Sequence, residues 1–217
     1  MARHARYSAM QAMEADWVML GHHANDQTET VLLNLFRGSG ILGLAGMAPV
    51  QGRYLRPLLN VRRSELEVYA AEQQLKWCED ESNTDQKYTR NYLRHDVLEA
   101  LRGRFPSIDR NIARTAAHAA TANRLLIELA MNDAGGSELG FPFVLGPFKH
   151  LSTDRATNLF RALLTATGRQ CPSTDRIQEF IRQLRDAAPD RHPEIRIGAE
   201  RVFVRQKQLQ IAPLIFD

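Results

Sequence analysis

The chain of 217 residues has only two cysteines, Cys78 and Cys171, and no CxxC pair. That excludes a disulfide framework and a cysteine-rich zinc site, and two separated thiols suit a reducing cytosol. No apolar run approaches the length of a membrane span. The opening MARHARYSAM has charge but no apolar stretch behind it, so it is not read as a signal peptide. No GxxxxGK[ST] Walker loop occurs, nor any internal repeat or low-complexity segment.

What is there is ordinary for a globular protein: 44% apolar and 24% charged residues, enough to bury a core. The net charge is only +3, but arginine supplies most of the positive side. Its planar donor fork suits phosphate and base edges. Most such arginines merely solubilise a surface, so only local clusters argue for more.

Residues 2 to about 15 are expected to form a helix, and WVML at 17–20 a buried strand ending at Gly21. NDQTETVLLNLFRG reads as a second helix. Asp26 is expected to cap it, with Glu29 completing a capping box and Val31, Leu32, Leu35 and Phe36 forming its apolar face. Gly38 and Gly40 should end it. This helix, strand, turn, helix order is that of an α/β sheet protein. A loop is expected from 38 to 53, then a strand at YLRPLL, then a helix capped by Ser64 and Glu67. Residues 77–87 read as a polar loop, and 88–102, 107–132, 153–167 and 174–187 as helices. FPFVLGPF holds a strand, and the tail EIRIGAERVFVRQKQLQIAP alternates in period two, as two or three antiparallel strands do. Phe105-Pro106 marks the expected boundary between domains 1–105 and 106–217.

Four constellations carry chemistry. His22, His23 and Asp26 stand where a strand gives way to a helix, the place where open α/β sheets bind ligands. They suit magnesium-bound phosphates or proton transfer, and equally a plain helix cap beside a core histidine. Arg37, Gly38 and Ser39 offer a cation and open backbone to a phosphate, although a simple helix terminus has the same pattern. RPLLNVRR places Arg56, Arg62 and Arg63 together without an acid between them. In WCEDESNTDQKYTRNYLR, helical spacing puts Arg90, Leu93, Arg94, Val97 and Leu101 on one face. Two arginines on an apolar face need anionic partners: Glu79, Asp80, Asp85 or a phosphate.

GHHANDQTETVLLNLFRGSGILGLAGM, then RPLL, then the EDESN and RNYLR blocks resemble the tRNA(Ile)-lysidine synthases, strongly over residues 3 to 105 and more loosely beyond. The resemblance implies an N-type ATP pyrophosphatase (PP-loop) fold, here part of a Rossmann-like parallel-sheet domain, followed by a mainly helical α+β domain. It implies a cytoplasmic ligase that joins L-lysine to the anticodon cytidine of a tRNA(Ile) with a CAU anticodon, through an ATP-adenylated cytidine. By that resemblance His22, Asp26 and Arg90 are catalytic, and Arg37, Gly38 and Ser39 lie near the nucleotide. Arg56, Glu79, Asp80, Asn83, Asn91 and Arg94 would contact substrate or tRNA. Asp26 is the candidate ligand for Mg2+, with Asn25 standing where an Asp-Asp pair is commoner. The oligomeric state stays open, a homodimer included.

The family's SGGxDS phosphate loop does not occur in these residues. The expectation is therefore of an N-terminally truncated chain, inactive alone. The competing readings are a non-catalytic RNA-binding remnant and a related tRNA thiolase, the latter disfavoured by the lack of a CxxC. Between Lys87 and Arg124, eight basic residues face three acidic ones, as an RNA-tracking surface or a solvated helix face would.

Overall fold

The computed structural model describes residues 2–78, 85, 87–186 and 193–214. The chain divides into two compact units, 1–123 and 124–217, and the division falls inside one long helix.

In the first unit, α1 (Ala2–Gln11) is shorter than the expected helix. β1 (Val18–Met19) pairs in parallel with β3 (Tyr54–Leu55), which pairs antiparallel with β2 (Val50–Gln51), giving the order β1-β3-β2. The parallel β1-β3 pair with a helix following β1 is the expected α/β arrangement. The loop expected over 38–53 is partly ordered, since it holds both β2 and the short α3 (Ile41–Leu44). Arg53 donates from Nη2 to the Met13 carbonyl at 2.8 Å and also bonds Ala15, tying the segment after α1 to the β2–β3 turn.

α2 (Ala24–Phe36) follows β1. Its N-cap is His23 rather than Asp26, because the chain stays extended through His23 (φ −122°, ψ 179°). Asp26 thereby falls at the third helical position, where its carboxylate accepts the His23 N–H at 3.0 Å. Val31 and Leu32 are buried, whereas Leu35 and Phe36 are exposed, so only the first part of the expected apolar face packs. α4 (Arg63–Glu72) starts earlier than expected: Arg62 is its N-cap and Glu65, not Glu67, receives the Arg62 N–H, at 2.7 Å. Ser64 lies inside the helix, and Glu67 instead pairs with Arg63 at 2.8 Å.

The expected regular helix over 88–102 is interrupted. α5 (Thr89–Tyr92) runs into a π-helical turn at Leu93–Val97, then α6 (Leu98–Arg104). Leu93 and Leu98, five residues apart, are both buried with Leu32 in a small core that Leu33, Val97 and Ile112 flank. An α-helix would set that spacing on different sides, and the wider turn brings the two together. Phe105 and Pro106 separate α6 from α7 (Ile108–Asp133). Arg102 bridges this corner to Asp109 with bonds of 3.0 and 3.1 Å.

The second unit packs the C-terminal end of α7, α8 (Gly146–His150), α9 (Thr153–Ala166) and α10 (Thr174–Asp186) against a sheet. β4 (Phe143–Val144), β5 (Glu194–Ile197), β6 (Glu200–Arg205) and β7 (Gln208–Pro213) form it in the antiparallel order β4-β7-β6-β5. The tail thus supplies three strands, turning at Gly198 and again at Gln206-Lys207. Phe143, Phe148, Phe160 and Phe180 stack edge to face or tilted through the core, each with Leu or Ile around it.

Candidate active site

The site grows from the start of α2. Asp26 and Glu29 are three residues apart, so both project from one face of that helix. Arg90 and Arg94, one turn apart on α5 and the π-helical turn, meet them there. Arg90 donates from Nε to Glu29 at 2.5 Å and from Nη2 to Asp26 Oδ1 at 2.9 Å. Arg94 donates from Nε to Glu29 at 2.6 Å, with further bonds from Nη2 to Glu29 at 3.1 Å and Asp26 at 3.4 Å. The Glu29 side chain is 1% exposed and that of Asp26 13%; Arg94 is 21% exposed and Arg90 39%.

Two carboxylates and two guanidinium groups balance in charge, which is how such groups are tolerated out of water. Their hydrogen bonds are charge-assisted and short. Glu29's hydrogen bond raises the Arg94 pKa above its usual value, despite burial. Arg90 is the most exposed member of the four.

The anionic partners of the two arginines are therefore Asp26 and Glu29. Asp85 acts otherwise: its carbonyl accepts from Asn91 Nδ2 at 2.9 Å, and buried Asn91 holds this turn. Glu79, Asp80 and Asn83 lie outside the described residues. Glu29 is the member that the sequence reading missed. As an expected capping-box partner it was already assigned a role at the helix terminus. The signal is an acid one turn past Asp26, beside the apolar run that starts at Val31.

His22 is half-buried between β1 and α2. His23 lies beside Asp26, with Nδ1 accepting the Asp26 N–H at 3.4 Å and Nε2 3.5 Å from Oδ2. Burial lowers its pKa, while Asp26 and Glu29 oppose that shift. Asn25 is turned away from this cluster, its Oδ1 accepting the Arg63 N–H at 3.0 Å.

Arg37, Gly38 and Ser39 form the end of α2. Their backbone N–H groups bond to carbonyls of Leu33, Asn34 and Leu35, and Gly38 takes φ +69°. These N–H groups are therefore unavailable to a nucleotide. What remains for a phosphate is the exposed Arg37 side chain and the Ser39 hydroxyl. The following loop is held by α2 as well: Gln27 exchanges two bonds with the Met47 backbone, at 2.8 and 3.1 Å, and Asn34 donates to Gly43 at 2.8 Å.

Arg56 is 5% exposed. It donates from Nη1 to the Ala48 carbonyl at 2.7 Å and from Nη2 to Gln51 at 3.2 Å, so it braces the loop before β2. At Asp26, the candidate magnesium ligand, Oδ1 takes two arginines and Oδ2 the His23 N–H, so an ion held there would draw its remaining ligands from substrate phosphates and water.

Residues 1–101 match the family model of the PP-loop domain, and residues 143–210 that of the TilS substrate binding domain. The tRNA(Ile)-lysidine synthase of Burkholderia mallei is 45% identical over 203 residues, covering 88% of this chain and 41% of the relative. Those of Nitrosomonas europaea and Legionella pneumophila (strain Lens) are 40% and 41% identical, covering 88% and 89% of this chain and 43% and 47% of theirs. The chain thus spans less than half the length of these curated relatives. With the PP-loop model on its first unit, the substrate-binding model on its second and this identity across most of its length, the chain belongs to the tRNA(Ile)-lysidine synthase family.

Proposed function

We propose that this chain contributes one wall of a cytoplasmic enzyme that uses ATP to join L-lysine to the wobble cytidine of tRNA(Ile). The observation that carries this reading is the arginine pair fixed by Asp26 and Glu29 next to the carboxyl end of a parallel strand. ATP, as substrate, supplies the adenylyl group. The cytidine carbonyl oxygen takes it while pyrophosphate leaves; the lysine amine then bonds to carbon 2 and AMP leaves.

In that sequence Arg90, the most exposed of the four charged groups, would neutralise charge on a phosphoryl or pyrophosphate oxygen. Because Glu29 and Asp26 already fix two sides of its fork, little reorganisation accompanies that contact. His22 stands on the same strand-to-helix turn as a proton carrier. Arg37 and Ser39 would meet the nucleotide at the far end of α2, and Arg56 would act on tRNA indirectly, through the loop it braces. Glu79, Asp80, Asn83, Asn91 and Arg94 are the proposed contacts to substrate or tRNA, as the family resemblance implies.

The test measures AMP release and lysidine formation with tRNA(Ile), lysine and ATP, for this chain alone and for this chain fused behind an SGGxDS-bearing PP-loop segment. The fusion is expected to be active. Arg90→Ala or Asp26→Ala in the fusion should lower single-turnover AMP release about 100-fold or more. Rates equal to the unsubstituted fusion in both variants would sink the reading.

A further inference from the structure

The sheet of the second unit has two unlike faces. Ile195, Ile197, Val202, Leu209 and Phe143 turn inward to the core. By strand alternation, Arg196, Arg201, Phe203, Arg205 and Gln210 share the opposite face, and none of them belongs to that core. Phe203 stands at its centre, half-buried, with Arg201 and Arg205 two residues away on either side. The Arg201 guanidinium lies over the Phe203 ring, 5.1 Å from its centre, and Phe203 has Glu194 directly opposite on β5 and Gln210 directly opposite on β7.

The charge on this face is unbalanced. Arg196 sits directly opposite Arg201 across the β5–β6 ladder, a like-charge pairing that weakens a sheet. Glu194 compensates part of it by accepting from Arg201 at 2.8 Å. Arg196 and Arg205 have no ion pair among the described residues, and Lys207 adds a further cation at the β6–β7 turn.

We propose that this face binds a single-stranded segment of RNA, with one unpaired base stacked on Phe203, its edge reaching Gln210, and flanking phosphates on Arg196 and Arg205. Aromatic rings and guanidinium planes on sheets stack unpaired bases in this way, and the surrounding cations hold the backbone. This rests on the reading of the protein as one that acts on tRNA, and it assigns the part of the second unit that touches it. Arg201 is a positioning residue here, because Glu194 and the ring already hold it.

The experiment titrates the 217-residue chain into a single-stranded RNA hexamer containing 2-aminopurine, and into the blunt duplex of the same sequence, at several salt concentrations. The single strand is expected to bind more tightly, with quenching of 2-aminopurine as it stacks. Phe203→Leu should weaken single-strand binding about ten-fold or more and abolish the quenching, whereas Phe203→Tyr keeps both. Arg196→Gln and Arg205→Gln should each lower the salt slope by roughly 0.7 while the quenching persists. Circular dichroism identifies any variant that fails to fold, and Phe203→Tyr with the two arginine variants then carries the test. Unchanged affinity and quenching in Phe203→Leu, or a duplex that binds as tightly as the single strand, overturns the proposal. RNA binding of the expected kind without lysidine formation by the fused protein would instead overturn the ligase reading and leave this one standing.

Discussion

Glu29 shows how one buried charge organises its neighbours. Both arginines of the site donate to it, and water reaches it hardly at all. Glu29→Gln should lower the stability of the first unit by about 3 kcal/mol in urea unfolding, since it leaves two guanidinium groups without their shared anion. A loss well below 1 kcal/mol would mean that Asp26 alone suffices. Arg56→Lys tests a different dependence: an ammonium cannot span the Ala48 carbonyl and Gln51 together, so a loss of about 1 to 2 kcal/mol is expected. His23 gives the pH dependence. Its folded pKa lies below 6.5, so below pH 6.5 the unfolded chain takes up a proton that the folded one resists. Stability from this group is full above 6.5, falls as pH drops through the folded pKa, and is then flat. His23→Asn, which keeps a capping side chain, should remove that portion of the slope.

At the scale of elements, the chain's helices and strands were largely legible from periodicity, and their ends were not. α2, α9, α10 and the three C-terminal strands follow apolar patterns that a window of residues contains. The caps of α2 and α4 shifted because the extended backbone at His23 and Arg62 is set by what precedes each helix, with Ala24 N–H bonded to the Val61 carbonyl at 2.9 Å. The π-helical turn after Tyr92 was illegible because its cause is the packing of Leu93 and Leu98 with Leu32, which is far away in sequence. The glycines of the α2–β2 connection make a graded prediction. Gly38→Ala meets no atom but holds φ +69°, and should cost about 1 kcal/mol. Gly46→Ala, at φ +66°, also places its Cβ 2.7 Å from Gln27 Oε1, which must then release Met47. Denaturant titration should find Gly46→Ala the more damaging of the two.

At the scale of the whole molecule, the two units differ in how well they are filled. The second has a continuous core from Ala130 to Leu209, while the first buries few large apolar side chains and leaves Trp17, Met19, Leu35 and Phe36 exposed. β1 stands at the edge of its sheet among the described residues, the kind of edge that invites pairing with another chain. Native-state hydrogen exchange should therefore find the amides of α9 protected far longer than those of α2. Equal protection would indicate that one cooperative transition covers both units. Phe160→Ala, at the centre of the aromatic stack, should lower the stability of the second unit by about 3 to 5 kcal/mol.

The residues by themselves determined the family and the alternation of helix and strand, because motif order and short-range period are properties of the chain alone. They also required anionic partners for the two arginines, since an unpaired guanidinium on an apolar face is too costly. Only the tertiary structure decided that those partners are Asp26 and Glu29, that the N–H groups of Arg37, Gly38 and Ser39 close a helix, and that Arg196 faces Arg201 across a sheet. Each of those facts joins positions that the chain brings together only by folding. Ion pairing, capping and strand register depend on distance in space, which sequence spacing does not measure.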